Sequence, residues 1–239
     1  MINRTERFYL HNKHPMQTTD DAQGSYLAQI DIAKNKGRIR KFKTKWTVPS
    51  HPEYVWDQNG IPISLFLWNG LESSDYKGII QPVLAWADGW YACTVYTDDN
   101  GHYNYSPYFL VKTGEELEGV IEYKGSSGGV GIQTTYHYEV RFSGERFKHL
   151  TQSVTTTKNY GMALLCFEPY TDNYKYFPPD LLIKMHDISL DVMFSTPPNT
   201  PLKWSFVDSE QYKPETPSGI NGKIVKNEIN NGEIDFYFR

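Results

Sequence analysis

LFLWNGLESSDYKGIIQPVLAWADGWYACTVYT, residues 65–97, is the stretch that decides the fold. It contains most or all of three apolar and aromatic runs: ISLFLWNGL (63–71), GIIQPVLAW (78–86) and WYACTVYT (90–97). Each is a short run rich in aromatic and β-branched residues, and such runs at regular intervals with turn chemistry between them are the pattern of strands. The same rhythm extends to both sides. LAQIDIA (27–33) alternates, with Leu27, Gln29 and Asp31 on one face and Ala28, Ile30 and Ile32 on the other. YFLV (108–111), LEGVIEY (117–123), TTYHYEVRF (134–142), MALLCFEPY (162–170), LLIKMHDISLDVMF (181–194), LKWSFVD (202–208) and EIDFYFR (233–239) follow. Asn-Gly pairs at 59–60, 69–70, 100–101, 221–222 and 231–232 suit tight hairpin turns. The expectation is an all-β fold, an antiparallel two-sheet β-sandwich. One or two helical turns near 158–164 are the only helix expected.

Composition agrees. Aromatics are 15% of the 239 residues and Ala occurs only seven times, which disfavours a helix bundle. Residues 1–25 are polar and without periodicity, an expected arm. Residues 26–239 then form one β-sandwich domain, with 208–232 as a long surface excursion. No apolar run is long enough to span a membrane as a helix. MINRTERFYLHNKHPMQTTDD has no apolar signal core, so a cytoplasmic location is expected, with secretion by another route left open. Cys93 and Cys166 are expected to be reduced and buried, and a single bridge between them stays open.

Seven cations lie between Lys34 and Lys45: Lys34, Lys36, Arg38, Arg40, Lys41, Lys43 and Lys45. Their spacing changes parity between Arg40 and Lys41, which predicts a bulge or bend. They form either a patch for an anionic partner or an edge strand protected by lysine. The net charge of −4 and the lack of a nucleic-acid motif favour the edge strand, and no nucleic acid is expected. TDDNGH (97–102) is an oxygen-rich stretch without EF-hand spacing and is read as a turn. The seven histidines are scattered, so no metal site and no cofactor are expected. There is no nucleophile elbow and no phosphate loop.

Gln81 stands in the apolar run GIIQPVLAW and must find polar partners or open onto a cavity. Pro82 lacks a ladder donor, which predicts an edge or a bulge there. Trp68, Trp86 and Trp90 lie close to it in sequence. WTVP (46–49), WNGLE (68–72), IIQPVL (79–84) and WYACTVY (90–96), in this order and spacing, resemble the glutamic peptidases (eqolisins). KTGEELEGVIEY, YGMALLCFEPY, FPPDLLIKMHDISL and EIDFYFR extend the resemblance over about residues 42–239.

The resemblance implies a concanavalin-like, jelly-roll sandwich whose concave face binds an extended peptide. It also implies acid endopeptidase chemistry, with a glutamate as general base and a glutamine for the oxyanion. Gln81 matches that glutamine, and Trp68 and Glu72 match the preceding motif. The catalytic glutamate is absent: Leu164 occupies its place, and Glu168 matches a second acidic position about 13 Å along the strand. Cys93 and Thr94 replace an aromatic pair. The expected function is therefore binding without catalysis, of an extended glycan or polypeptide. The groove residues would be Trp68, Gln81, Trp86, Trp90, Tyr91 and Glu168. The alternatives are an active endopeptidase using Gln81 with Glu168 or Glu72, and an assembly protein. Oligomeric state is left undetermined.

Overall fold

The structure is a computed structural model and describes residues 26–33, 37–58, 60, 62–128, 132–170, 174–180, 182–194, 198–206 and 220–238. The expected arm at 1–25, Lys34 and Lys36 lie outside the described residues. The strands are β1 (Tyr26–Asp31), β2 (Gly37–Thr47), β3 (Leu65–Ser73), β4 (Ile79–Trp86), β5 (Trp90–Thr97), β6 (Tyr103–Tyr105), β7 (Phe109–Val111) and β8 (Glu116–Ser127). They continue as β9 (Thr135–Phe142), β10 (Gln152–Thr156), β11 (Tyr160–Pro169), β12 (Leu182–Phe194), β13 (Ser205–Phe206), β14 (Ile220–Lys226) and β15 (Asn230–Phe238). They form an eight-stranded sheet, β13-β1-β11-β3-β4-β5-β6 with β7 also on β5, and a seven-stranded sheet, β10-β9-β8-β2-β12-β15-β14. All pairings are antiparallel, so the fold is the expected β-sandwich.

The sheets pack face to face around a core that includes Phe42, Trp46, Leu67, Leu84, Trp90, Ile121, Tyr138, Leu165, Met185 and Phe236. Period-two alternation places these residues inward. A second apolar cluster lies on the outer face of the eight-stranded sheet and includes Leu27, Trp68, Val83, Cys93, Val95, Leu164 and Cys166. β11 is buried at all ten positions and β4 at seven of eight. Strands covered on both faces read as continuous apolar runs, which is why GIIQPVLAW and MALLCFEP hardly alternate.

Several expectations are corrected. Residues 160–164 are strand, because β11 is held between β1 and β3 and sheet packing overrides the helical preference of Met-Ala-Leu-Leu. The helical turn among the described residues nearest that region is a short 3-10 segment at Glu145–Leu150. Asn100-Gly101 is a turn, with Asp98 Oδ1 accepting from the backbone N–H groups of Asn100 and His102. Asn69-Gly70, Asn221-Gly222 and Asn231-Gly232 instead lie inside strands. Residues 220–226 of the expected excursion form the edge strand β14, paired with β15.

The basic strand β2 is not an edge. It lies between β8 and β12, and the parity change is a bulge at Arg40: Asp191 pairs Lys41 and the next residue, Val192, pairs Ile39. That bulge keeps Arg40, Lys41, Lys43 and Lys45 on the solvent side while Ile39, Phe42 and Trp46 stay in the core. Their charge is answered across the sheet. Arg40 pairs with Asp191 at 2.7 Å, Lys43 with Glu118 at 3.3 Å, and Lys45 with Asp187 at 3.1 Å and Glu116 at 3.5 Å. Hydrogen bonding to Asp187 and the charge of Glu116 hold Lys45 above the usual lysine range. Arg38 lies over the rings of Tyr123 and Tyr136, at 4.8 and 4.4 Å from their centroids. The run is thus a self-neutralised strand. Such exposed pairs contribute at most about 1 kcal/mol each.

Candidate functional site

The outer face of the eight-stranded sheet is built in rows, each formed by residues opposite one another in adjacent strands. One row runs Gln29 (β1), Leu164 (β11), Gly70 (β3), Gln81 (β4), Val95 (β5) and Tyr105 (β6). The row on one side contains Asp31, Met162, Glu72 and Ile79, and the row on the other contains Leu27, Cys166, Trp68, Val83 and Cys93. The next contains Glu168, Phe66, Ala85, Tyr91 and Leu110. Five residues singled out in the sequence therefore share one face: Trp68, Glu72, Gln81, Tyr91 and Glu168.

Trp86 and Trp90 do not. They belong to the core between the sheets, where their rings lie 5.3 Å apart and Trp86 also meets His51 at 5.1 Å. Trp90 Nε1 donates to Ser50 O at 3.3 Å. Trp86 is five positions from Gln81, an odd separation that puts the two on opposite faces, and Trp90 pairs with Trp86. Their assignment to the groove is corrected accordingly.

Gln81 lies in the interior of the sheet, so the expectation of an edge or bulge at Pro82 is also corrected. β4 pairs β5 continuously through Gln81 and Pro82. Toward β3 the register is constant, but the ladder is open between Trp68–Val83 and Leu71–Ile80. Pro82 has no N–H to donate there, which accounts for part of the gap. Across it, Asn69 faces the other sheet, where a Cβ on Gly119 would come within 2.3 Å of its Oδ1. Asn69 Oδ1 and Nδ2 are buried without hydrogen-bond partners among the described residues. Gly70 leaves room for the Trp68 ring: a Cβ there would sit 3.0 Å from it.

The rows decide which carboxylate is near Gln81. Leu164 stands two strands away in the same row, about 10 Å between Cα atoms, and it is 2% exposed. Glu72 is the diagonal neighbour of Gln81 across β3 and β4, at about 7–8 Å. Glu168 is two strands away and four residues further along, about 16 Å from Gln81.

Glu168 is instead held by its own neighbours. Trp68 Nε1 donates to Oε2 at 2.9 Å and Tyr170 Oη donates to Oε1 at 2.8 Å. Phe66 meets the Tyr170 ring edge-on at 5.5 Å. At 5% exposure, burial raises the Glu168 carboxyl above its usual range, against the two hydrogen bonds that favour the charged form. Burial, then the charges of Glu168 and Glu72, likewise raises the Tyr103 phenol. Tyr103 is on β6, four strands from β11.

Parity could have found Tyr170, two positions after Glu168, and Gln29 and Asp31 were already assigned to one face. No sequence signal pointed to Tyr103. A pocket of ≈ 200 Å³ bordered by Thr47, Pro49, Asp180 and His186 lies elsewhere and contains none of these residues.

The raised carboxyl has a definite sign in stability. Glu168 binds its proton more tightly folded than unfolded, so its contribution is complete below the unfolded value of 4.5 and is lost as pH rises through the folded value. Urea titrations from pH 4 to pH 8 should show the wild type losing stability relative to Glu168→Gln. Parallel pH profiles of the two proteins would show that Glu168 ionises freely.

No family model and no curated protein matches the chain. Among solved structures, scytalido-glutamic peptidase with a transition state analog inhibitor aligns with a TM-score of 0.51 at 8% identity, over 91% of this chain and 98% of that one. A structure of scytalido-glutamic peptidase with a peptide-based transition state analog aligns at TM-score 0.49 and 10% identity over the same shares. The TM-score 0.51 alignment shows that the fold is of the glutamic-peptidase type.

Proposed function

We propose that this glutamic-peptidase-like β-sandwich binds an extended polypeptide on the outer face of its eight-stranded sheet and does not hydrolyse it. The observation that carries the reading is Leu164. It occupies the position in line with Gln81 across Gly70. A leucine there neither orients nor deprotonates water, so Gln81 is left as an amide that hydrogen-bonds a backbone rather than one that serves a tetrahedral intermediate.

A polypeptide suits the face better than a glycan. Sugar rings need open aromatic platforms flanked by polar groups. Here Trp86 and Trp90 are in the core, and Trp68 is turned onto Gly70 with its Nε1 committed to Glu168. An apolar sheet face with a few amides and carboxylates matches alternating side chains of an extended chain. One observation favours residual hydrolysis as a second reading: Glu72 is the diagonal neighbour of Gln81 and is buried.

The binding test uses a reduced, carboxymethylated protein, which stays extended, immobilised on a surface. The wild type should bind it, and Tyr91→Ala, which removes a half-buried ring of the face, should weaken binding about tenfold, as expected for an aromatic anchor. Absence of binding by the wild type at about 100 µM, an affinity weaker than roughly −5.5 kcal/mol, would remove the polypeptide reading.

A further inference from the structure

The cations of β2 are answered across the sheet with one exception among the described residues. Arg40 pairs with Asp191, Lys41 with Glu122, Lys43 with Glu118, and Lys45 with Asp187 and Glu116. No described carboxylate pairs with Arg38. Its side-chain hydrogen bond runs from Nη1 to Tyr123 Oη at 2.8 Å, and its guanidinium lies against the rings of Tyr123 and Tyr136. Its Nε is buried without an acceptor among the described residues. Two ring faces and one phenol offset part of the desolvation of a guanidinium, and a carboxylate, which accepts two parallel N–H bonds from it, offsets more.

Three strands build this place. The ladder between β2 and β8 begins at Lys41–Glu122, so residues 37–40 of β2 are not paired with β8, which continues paired with β9. Arg38 comes from this unpaired start of β2, Tyr123 from β8 and Tyr136 from β9. The rings are braced from behind: Tyr123 meets Tyr138 at 5.4 Å, Tyr138 meets Tyr160 at 5.4 Å, and both of these are buried. A guanidinium already held in place loses little freedom when it takes a ligand. The surroundings select the anion. Lys124 and Arg141, the cations on β8 and β9, are engaged by Glu122 and Glu139. One guanidinium, with those acids on the adjoining strands, suits the single charge of a carboxylate better than the near-double charge of a phosphate. Met193 stands opposite Arg38 across β12 and is 44% exposed, which sets apolar surface beside the charge.

We propose that Arg38, Tyr123 and Tyr136 form a site for a carboxylate carried on an apolar group, with Nη1 and Nη2 each donating one N–H to it. The site belongs to the seven-stranded sheet and does not depend on the polypeptide-binding reading of the other sheet.

Two kinds of molecule carry such a group, a small organic acid and the C-terminus of a polypeptide. Phenylacetate probes the first and N-acetyl-Phe-Leu the second, each beside its neutral amide. Isothermal titration calorimetry of the full chain at neutral pH and low salt measures both, where the attraction is least screened. The expected result is binding of at least one acid with a Kd of about 1 mM or tighter, and at least about tenfold tighter than its amide. The acid that binds more tightly names the source. Arg38→Gln should weaken that binding at least about tenfold. Lys45→Gln removes the same charge from the far end of the strand and should leave it unchanged. Binding of neither acid at about 10 mM, equal binding of acid and amide, equal binding by a folded Arg38→Gln, or an equal loss in Lys45→Gln overturns the proposal. If Arg38→Gln does not fold, nuclear magnetic resonance of the wild type decides. An Arg38 Nε–H signal that moves as the acid is added supports the site, and one that stays in place overturns it. Tyr91→Ala, on the other sheet, should leave this binding intact, so the two readings fail separately.

Discussion

Trp90→Ala should destabilise the protein by about 3–5 kcal/mol, the range for truncating a large aromatic in a packed core. Trp90 is 0% exposed, in contact with Trp86, and hydrogen-bonded to Ser50 of the β2–β3 connection. The deletion leaves a cavity where the β4–β5 hairpin meets that connection. For a chain of this size the loss corresponds to a fall in melting temperature of roughly 6–20 °C. Differential scanning calorimetry measures it directly. A groove-lining tryptophan would behave in the opposite way: its removal would leave stability nearly unchanged and reduce ligand binding. A fall of less than about 0.5 kcal/mol, the usual scale for surface changes, would return Trp90 to the face.

The second large effect is a missing one. A general base contributes about 10²–10⁴-fold to a hydrolytic rate, and an oxyanion donor about 10²–10³-fold. On the proposed reading, Leu164 stands where the first would be needed, and Glu168, held by Trp68 and Tyr170 far along the strand, is not placed to supply it. A denatured protein incubated with the wild type between pH 2 and pH 7 should therefore remain intact. Gln81→Ala should give the same result as the wild type. Among the described residues, Glu72 is the carboxylate whose register position next to Gln81 would reverse this. Cleavage abolished by both Gln81→Ala and Glu72→Gln would make those two the catalytic pair.

Much of this architecture was legible in residues 65–97. Apolar runs of eight or nine residues rich in aromatic and β-branched side chains and set apart by turns read as strands, but runs covered on both faces hardly alternate, so the faces have to be counted by parity from a fixed residue. The face assignments failed where parity was not applied. Trp86 and Trp90 were grouped with Gln81 by nearness in sequence, although an odd separation from Gln81 turns Trp86 to the opposite side. Leu164 shows the reverse: its correspondence with Gln81 came from the order of motifs, and the register places the two in one row.

Other features depend on partners that are distant in sequence. Whether β2 is an edge or a central strand is not written in its lysines. It is decided by the glutamates of β8 at 116, 118 and 122, which meet Lys45, Lys43 and Lys41 across the sheet. Asn69-Gly70 has the composition of a turn, but Gly70 is needed to leave space for the Trp68 ring. Tyr103 lies on β6, four strands from the β11 that carries Glu168, and nothing local in the sequence relates the two.

The most direct test of a binding but non-hydrolytic face places both properties in one sample. An extended, carboxymethylated protein is captured by the wild type, held between pH 2 and pH 7, released, and examined by mass spectrometry for new termini. The prediction is capture that Tyr91→Ala weakens, and release of the polypeptide at its full length at every pH. New termini at acid pH that disappear with Gln81→Ala would contradict the account and identify the protein as a peptidase.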